Sequence, residues 1–144
     1  MPKLLLFAPC EKVIIAQEGN TVSLITILQE LTVSIPPDVQ IPADAKVPMQ
    51  WYGFSLWQKQ PGDEGKRYEQ QIELTGPDGG IVVSASSQFE MTAPAHRILS
   101  IFPGFPVGQF GEYMLRLYLR EEKESEEKKE VASFPLTVKR STAG

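Results

Sequence analysis

Apolar and polar residues alternate with a period of two along most of the chain. "TVSLITILQELTVSI" places Val22, Leu24, Thr26 and Leu28 on one face, then slips near Gln29-Glu30 to Leu31, Val33 and Ile35. A slip of that kind predicts a bulge, or a strand that leaves one sheet for another. "RYEQQIEL" turns Tyr68, Ile72 and Leu74 inward and Glu69, Gln71 and Glu73 outward. The next segment predicts Ile81, Val83, Ala85, Phe89 and Met91 as buried, with Ser84, Ser86, Gln88 and Glu90 in water. "HRILSIF" predicts a further strand. "EYMLRLYLR" lines up Tyr113, Leu115, Leu117 and Leu119, and "VASFPLTV" lines up Ala132, Phe134, Leu136 and Val138.

Turn chemistry separates these runs. Gly19-Asn20, Pro61-Gly62 and "TGPDGG" supply fixed or positive φ values and self-capping side chains. Pro36, Pro37, Pro42 and Pro48 bracket a loop that no regular ladder can cross. "EEKESEEKKE" consists of good helix formers but has no apolar stripe to bury, so it is expected as a solvated hairpin tip. The pattern predicts an all-β fold: a two-layer antiparallel β-sandwich of about eight strands, immunoglobulin-like or C2-like. Residues 1–140 are expected as one domain. The pattern loosens from Lys139, and 141–144 are expected as a loose tail.

The N-terminal stretch "PKLLLFAPCEK" raises the possibility of an export signal. Leu4 to Ala8 is too short for the apolar region of such a signal, and Pro9 stands where a small residue is required before a cleavage site. Val13, Ile14 and Ile15 then resume the apolar pattern, so a buried first strand is expected, with Pro9 at a sheet edge or bulge.

Composition narrows the possible functions. The chain has 144 residues, 22% of them charged, and a net charge of −4. That balance argues against nucleic acid, and no apolar stretch is long enough to span a membrane as a helix. One cysteine excludes an internal disulfide, which fits a cytoplasmic setting.

No catalytic residues, metal ligands or cofactor are expected. Cys10 beside Glu11 lacks a cation to lower its pKa and is expected as a buried structural residue. His96, after Pro94-Ala95, is expected in an exposed loop. Asp38, Asp44, Asp63 and Asp78 each lie close to Pro or Gly and read as turn residues, without the spacing of a calcium site.

The most informative stretch is "MQWYGFSLW". Tyr52, Phe54 and Leu56 fall on one face; Met49, Trp51, Gly53, Ser55 and Trp57 fall on the other. The Tyr-Phe-Leu face is expected in the core. The tryptophan face then needs a cover, because each large apolar side chain left in water costs roughly 1.5–3 kcal/mol. The proline-rich loop, a second copy, or a sugar or peptide stacked on the rings would each serve. Met114, Arg116, Tyr118 and Arg120 form the outward row of their strand. The candidate binding surface is therefore Trp51, Trp57, Met49, Arg116 and Tyr118.

"APCEKV", the turn at Gly19 and "SLITIL" from Ser23 resemble a family of small bacterial β-sandwich proteins classed only as a domain of unknown function. "FGEYML" is similar to the Gly-x-Tyr corner of immunoglobulin-like and C2-like sandwiches. The resemblance implies the fold and a bacterial origin, and it assigns no role to Cys10 or Glu11. The expected function is a non-enzymatic module that binds a protein partner or itself. The alternative is a small-ligand or carbohydrate-binding sandwich using the Trp51/Trp57 face.

Overall fold

The computed structural model describes residues 1–16, 18–123 and 127–141. They form eleven strands and no helix: β1 (Lys3–Ile15), β2 (Val22–Ile27), β3 (Glu30–Ser34), β4 (Lys46–Val47), β5 (Trp51–Gln58), β6 (Arg67–Thr75), β7 (Ile81–Glu90), β8 (Ala95–Phe102), β9 (Phe105–Pro106), β10 (Gly111–Glu121) and β11 (Lys129–Ser141). They assemble into a four-stranded sheet of order β2-β1-β5-β8, a five-stranded sheet of order β3-β11-β10-β6-β7, and the short pair β4-β9. The slip in the pattern near Gln29 is the point where the chain leaves the first sheet for the second. There Leu28, its amide bonded to the Pro9 carbonyl, is buried between the two strands. The last residues are not loose as far as they are described, because Lys139, Arg140 and Ser141 pair with Thr32, Val33 and Ser34. Residues 142–144 lie outside the described residues, as do 124–126 of the expected hairpin tip.

The inner faces of the two large sheets share one core. The five-stranded sheet contributes the alternating Tyr68, Ile72 and Leu74, the row Tyr113 to Leu119, and Leu136 and Val138. The four-stranded sheet contributes Trp51, Trp57, Ile98 and Phe102. Gly53 marks how closely the layers approach: a Cβ there would stand 2.9 Å from Ile72 Cδ1. The expected orientation of β5 is thus inverted. Trp51 and Trp57 are 0% exposed and face the other sheet, while Phe54, opposite Ala8 and Leu99, lies on the outer side. Burying the larger pair of aromatic rings against a whole sheet removes more apolar area from water than the alternative would.

Ile81, expected inside, is 60% exposed. The β6–β7 register shifts between Leu74 and Thr75, so the alternation does not carry through to the start of β7. Pro9 does not lie at an edge or at the β1 bulge, which falls between Leu4 and Leu6. It stands opposite Gly53, one residue before Cys10, where β1 passes from pairing with β5 to pairing with β2.

Beyond Cys10 the β1–β2 hairpin does not run straight on. At about 3.3 Å per residue a straight β1 would carry Ile15 about 16 Å past Cys10, away from Leu56. Asn20 and Val22, at the hairpin tip, instead line one groove of about 380 Å³ with Leu56, Ala95, His96 and Arg97. The hairpin therefore doubles back over the outer side of the four-stranded sheet. Ala8, Cys10 and Phe54, on that side, are buried and stand apart from the main core cluster.

The bend has a local cause. The ladder steps from Cys10↔Ile27 to Lys12↔Ile25, and Thr26 between them has φ of 57°. A left-handed conformation costs a β-branched residue about 1–2 kcal/mol. Glycine removes that strain and returns part of the gain as backbone entropy. Thr26→Gly is expected to stabilise the fold by about 0.5–1 kcal/mol. A lower midpoint in thermal melts would show that Thr26 is not strained.

Candidate interaction surfaces

The residues expected to form one binding surface lie in different places. Trp51 and Trp57 are sealed in the core. Trp51 donates its indole N–H to the Gly104 carbonyl at 2.9 Å and stacks on Phe102 at 4.3 Å. Trp57 donates to Gln70 Oε1 at 2.8 Å. Met49 is half-buried against the same core. A stacking platform for a sugar or peptide needs open rings, and these have none to offer. Trp57 is covered by Gln70 and Phe89 of the opposite sheet, and Trp51 by Phe102, Gly104 and Phe105, the last in β9 beside β4. Ala45, Val47 and Met49, at the end of the proline-rich loop, pack against the same core.

Arg116 and Tyr118 lie on the outer side of the five-stranded sheet, as expected. Arg116 pairs with Glu130 at 2.7 Å, and Arg120 with Glu69 at 3.0 Å. Glu69 is held below the usual carboxylate range by the Arg120 hydrogen bond, against a smaller opposing effect of burial, and Lys128 at 3.5 Å adds to the lowering. The Tyr118 hydroxyl is pushed up by burial and by the nearby Glu73 and Glu130 carboxylates. Exposed ion pairs of this kind contribute little energy, and they leave this face with its charges already matched.

Neither candidate nucleophile is poised for chemistry. Cys10 is 0% exposed, and burial pushes its thiol up, away from the thiolate. His96 is not in a loop but in β8, opposite Trp57, half-buried and stacked on Phe89 at 5.1 Å. Burial pulls its pKa down and favours the neutral ring. Asp63 is likewise more than a turn residue, because its carboxylate is fully buried and accepts from Gln60 N–H and Tyr68 O–H. Among the described residues no three His, Cys, Asp or Glu side chains are grouped to hold a metal ion.

The alternation missed the hairpin's open side. Lys12↔Ile25 and Ile14↔Ser23 share that face, with Ile14 and Ile25 exposed at 52 and 39%. Ile27, opposite the buried Cys10 where the hairpin bends, is exposed at 47%. Val13, Leu24 and Val22, on the opposite face, are half-buried, while Ile15, opposite Val22 near the tip, is exposed at 44%. Leu5 and Leu6, at the β1 bulge, are exposed as well. The available signal was that both faces of this hairpin are apolar, which a single core cannot absorb.

No protein-family model matches the chain, and no curated protein matches it. Among solved structures it is similar to one titled "Structure of the N-terminal domain of PorA", at 14% identity over 96% of this chain and 100% of that chain, with a TM-score of 0.35.

Proposed function

We propose that this domain is a non-enzymatic protein-binding module, a sandwich of the immunoglobulin-like or C2-like kind carrying an added hairpin, and that the open side of the β1–β2 hairpin is its contact surface. One observation carries the reading: Ile14 and Ile25 stand half in water on one hairpin face, with Ile27 half in water beside them at the bend and Lys12 the only charge among them. With about half of the roughly 1.5–3 kcal/mol of a fully exposed aliphatic side chain left to gain at each, a partner that covers all three gains about 2–4 kcal/mol. Val13, Leu24 and Val22 on the inner face already serve the fold, so the outer face is free for another chain. The resemblance of the first thirty residues to a family without an assigned activity transfers no role to any of them.

A photo-crosslinking residue at Ile25, used in the native host, tests this. Discrete adducts with another protein are expected from Ile25 and not from Ser133, exposed on the outer side of β11. Adding Ile14→Lys and Ile27→Lys is expected to abolish the adducts while the thermal midpoint holds. Equal labelling from both positions would sink the proposal.

A further inference from the structure

The five-stranded sheet ends in β7, whose outer edge has no strand beside it. Ile81 to Phe89 carries no charged residue and no proline: "IVVSASSQF". Among the described residues no backbone or side-chain hydrogen bond from another element reaches this edge, apart from the β6 ladder itself. The ladder to β6 is regular from Glu90 to Val83, giving an unbroken stretch about 27 Å long at about 3.4 Å per residue.

The other free edges are blunted in ways proteins commonly use against unwanted pairing. β2 is short and broken by the positive φ of Thr26. β3 has five residues, begins with Glu30 paired to Lys139, and runs into Pro36-Pro37. β8 carries His96 and Arg97. Among the described free edges, β7 alone is long, unbroken and unguarded.

We propose that β7 pairs antiparallel with β7 of a second copy, joining two five-stranded sheets into one. The occupant follows from the sequence of the edge. Around a two-fold axis at Ser86, Ser84 meets Gln88, Ser86 meets itself, and Glu90 meets Val82. No like charges oppose each other, although the chain as a whole is acidic. The same axis lets each outward N–H find an outward carbonyl of the other copy reciprocally, as a closed symmetric interface requires. On the inner side, Val83 and Ala85 are half-buried at the margin of the core, and the same axis sets the partner's Phe89 opposite Val83 and the partner's Ser87 opposite Ala85. This interface is separate from the hairpin face and does not depend on it.

Sedimentation equilibrium of the full chain from about 1 to 500 µM tests it, together with amide hydrogen exchange at 83–89. A dimer is expected, with exchange at these amides slowing as concentration rises. The triple variant Ser84→Lys, Ser86→Lys, Gln88→Lys changes only exposed side chains and places lysines opposite lysines in the register centred on Ser86 and in those centred one or two residues to either side. Its dimer is expected to be at least roughly 100-fold weaker at low salt. The matching glutamate variant is expected to behave alike, and mixing the two is expected to restore a heterodimer. A wild-type chain that stays monomeric with concentration-independent exchange would overturn the proposal. So would a dimer that the lysines leave intact.

Discussion

Gln70→Leu is expected to lower stability by about 3 kcal/mol, the largest loss for any substitution that preserves side-chain size in this core. Gln70 is 1% exposed, an inward position of β6 surrounded by Tyr68, Ile72 and the aromatic cluster. Its Oε1 accepts from both Trp57 Nε1, at 2.8 Å, and Ser55 Oγ, at 2.5 Å, bridging the two large sheets. Leucine keeps the volume and strands both donors, each at about 1–3 kcal/mol. Urea denaturation at pH 7 measures the loss. The asymmetry of buried hydrogen bonds supplies a control. Adding Ser55→Ala and Trp57→Phe to Gln70→Leu removes the stranded donors and is expected to recover much of the stability. A loss under about 1 kcal/mol for Gln70→Leu alone would mean that the two donors find other acceptors.

Asp63→Asn is expected to cost about 2–3 kcal/mol at neutral pH and to flatten the acid limb of the stability curve. Asp63 is fully buried. It accepts from Gln60 N–H at 2.7 Å and Tyr68 O–H at 2.6 Å, and the Met1 ammonium lies 3.0 Å away. Burial alone would raise its pKa. The hydrogen bonds from Tyr68 and Gln60 and the Met1 ammonium together outweigh it, and the pKa lies below the ordinary carboxylate value. A carboxylate whose folded pKa is depressed stabilises the fold above its unfolded pKa, near 3.9, and that contribution disappears as pH falls through the folded pKa. Denaturation between pH 7 and 2.5 is therefore expected to show the wild type losing more stability below about pH 4 than the asparagine variant. Parallel curves would remove Asp63 as the source of that pH dependence.

The two residues show where pattern reading stops. Gln70 occupies an apolar-phase position in "RYEQQIEL", but alternation identifies only which face a residue takes. It does not say that a polar residue there bridges two indole and hydroxyl donors from a strand a dozen residues earlier. Asp63 follows Pro61-Gly62 and reads as a turn residue, and it is one. Its burial depends on Tyr68 and the N-terminal segment closing over it, contacts that no local spacing records. His96 looked like a loop residue because Pro94 precedes it. In the structure β8 begins one residue after that proline and buries one side of the ring against Phe89.

The long strands, the turn positions and, among the described residues, the absence of helix were legible in the chain itself, whereas the short pair β4–β9 formed inside stretches read as loops. Period-two alternation and Gly, Pro and Asn chemistry act over a few residues, and they predicted the inward rows of β6, β10 and β11 and the sheet change near Gln29. Which face of β5 meets the other sheet was beyond local patterning, since both faces are apolar and only packing against Ile72 and Phe102 selects the tryptophans. The fold-back of the β1–β2 hairpin, the isoleucines it leaves in water and the open edge of β7 depend likewise on which strands become neighbours. Pairing energy is settled between segments far apart in sequence, so tertiary structure alone decided which apolar side chains and strand edges stay open.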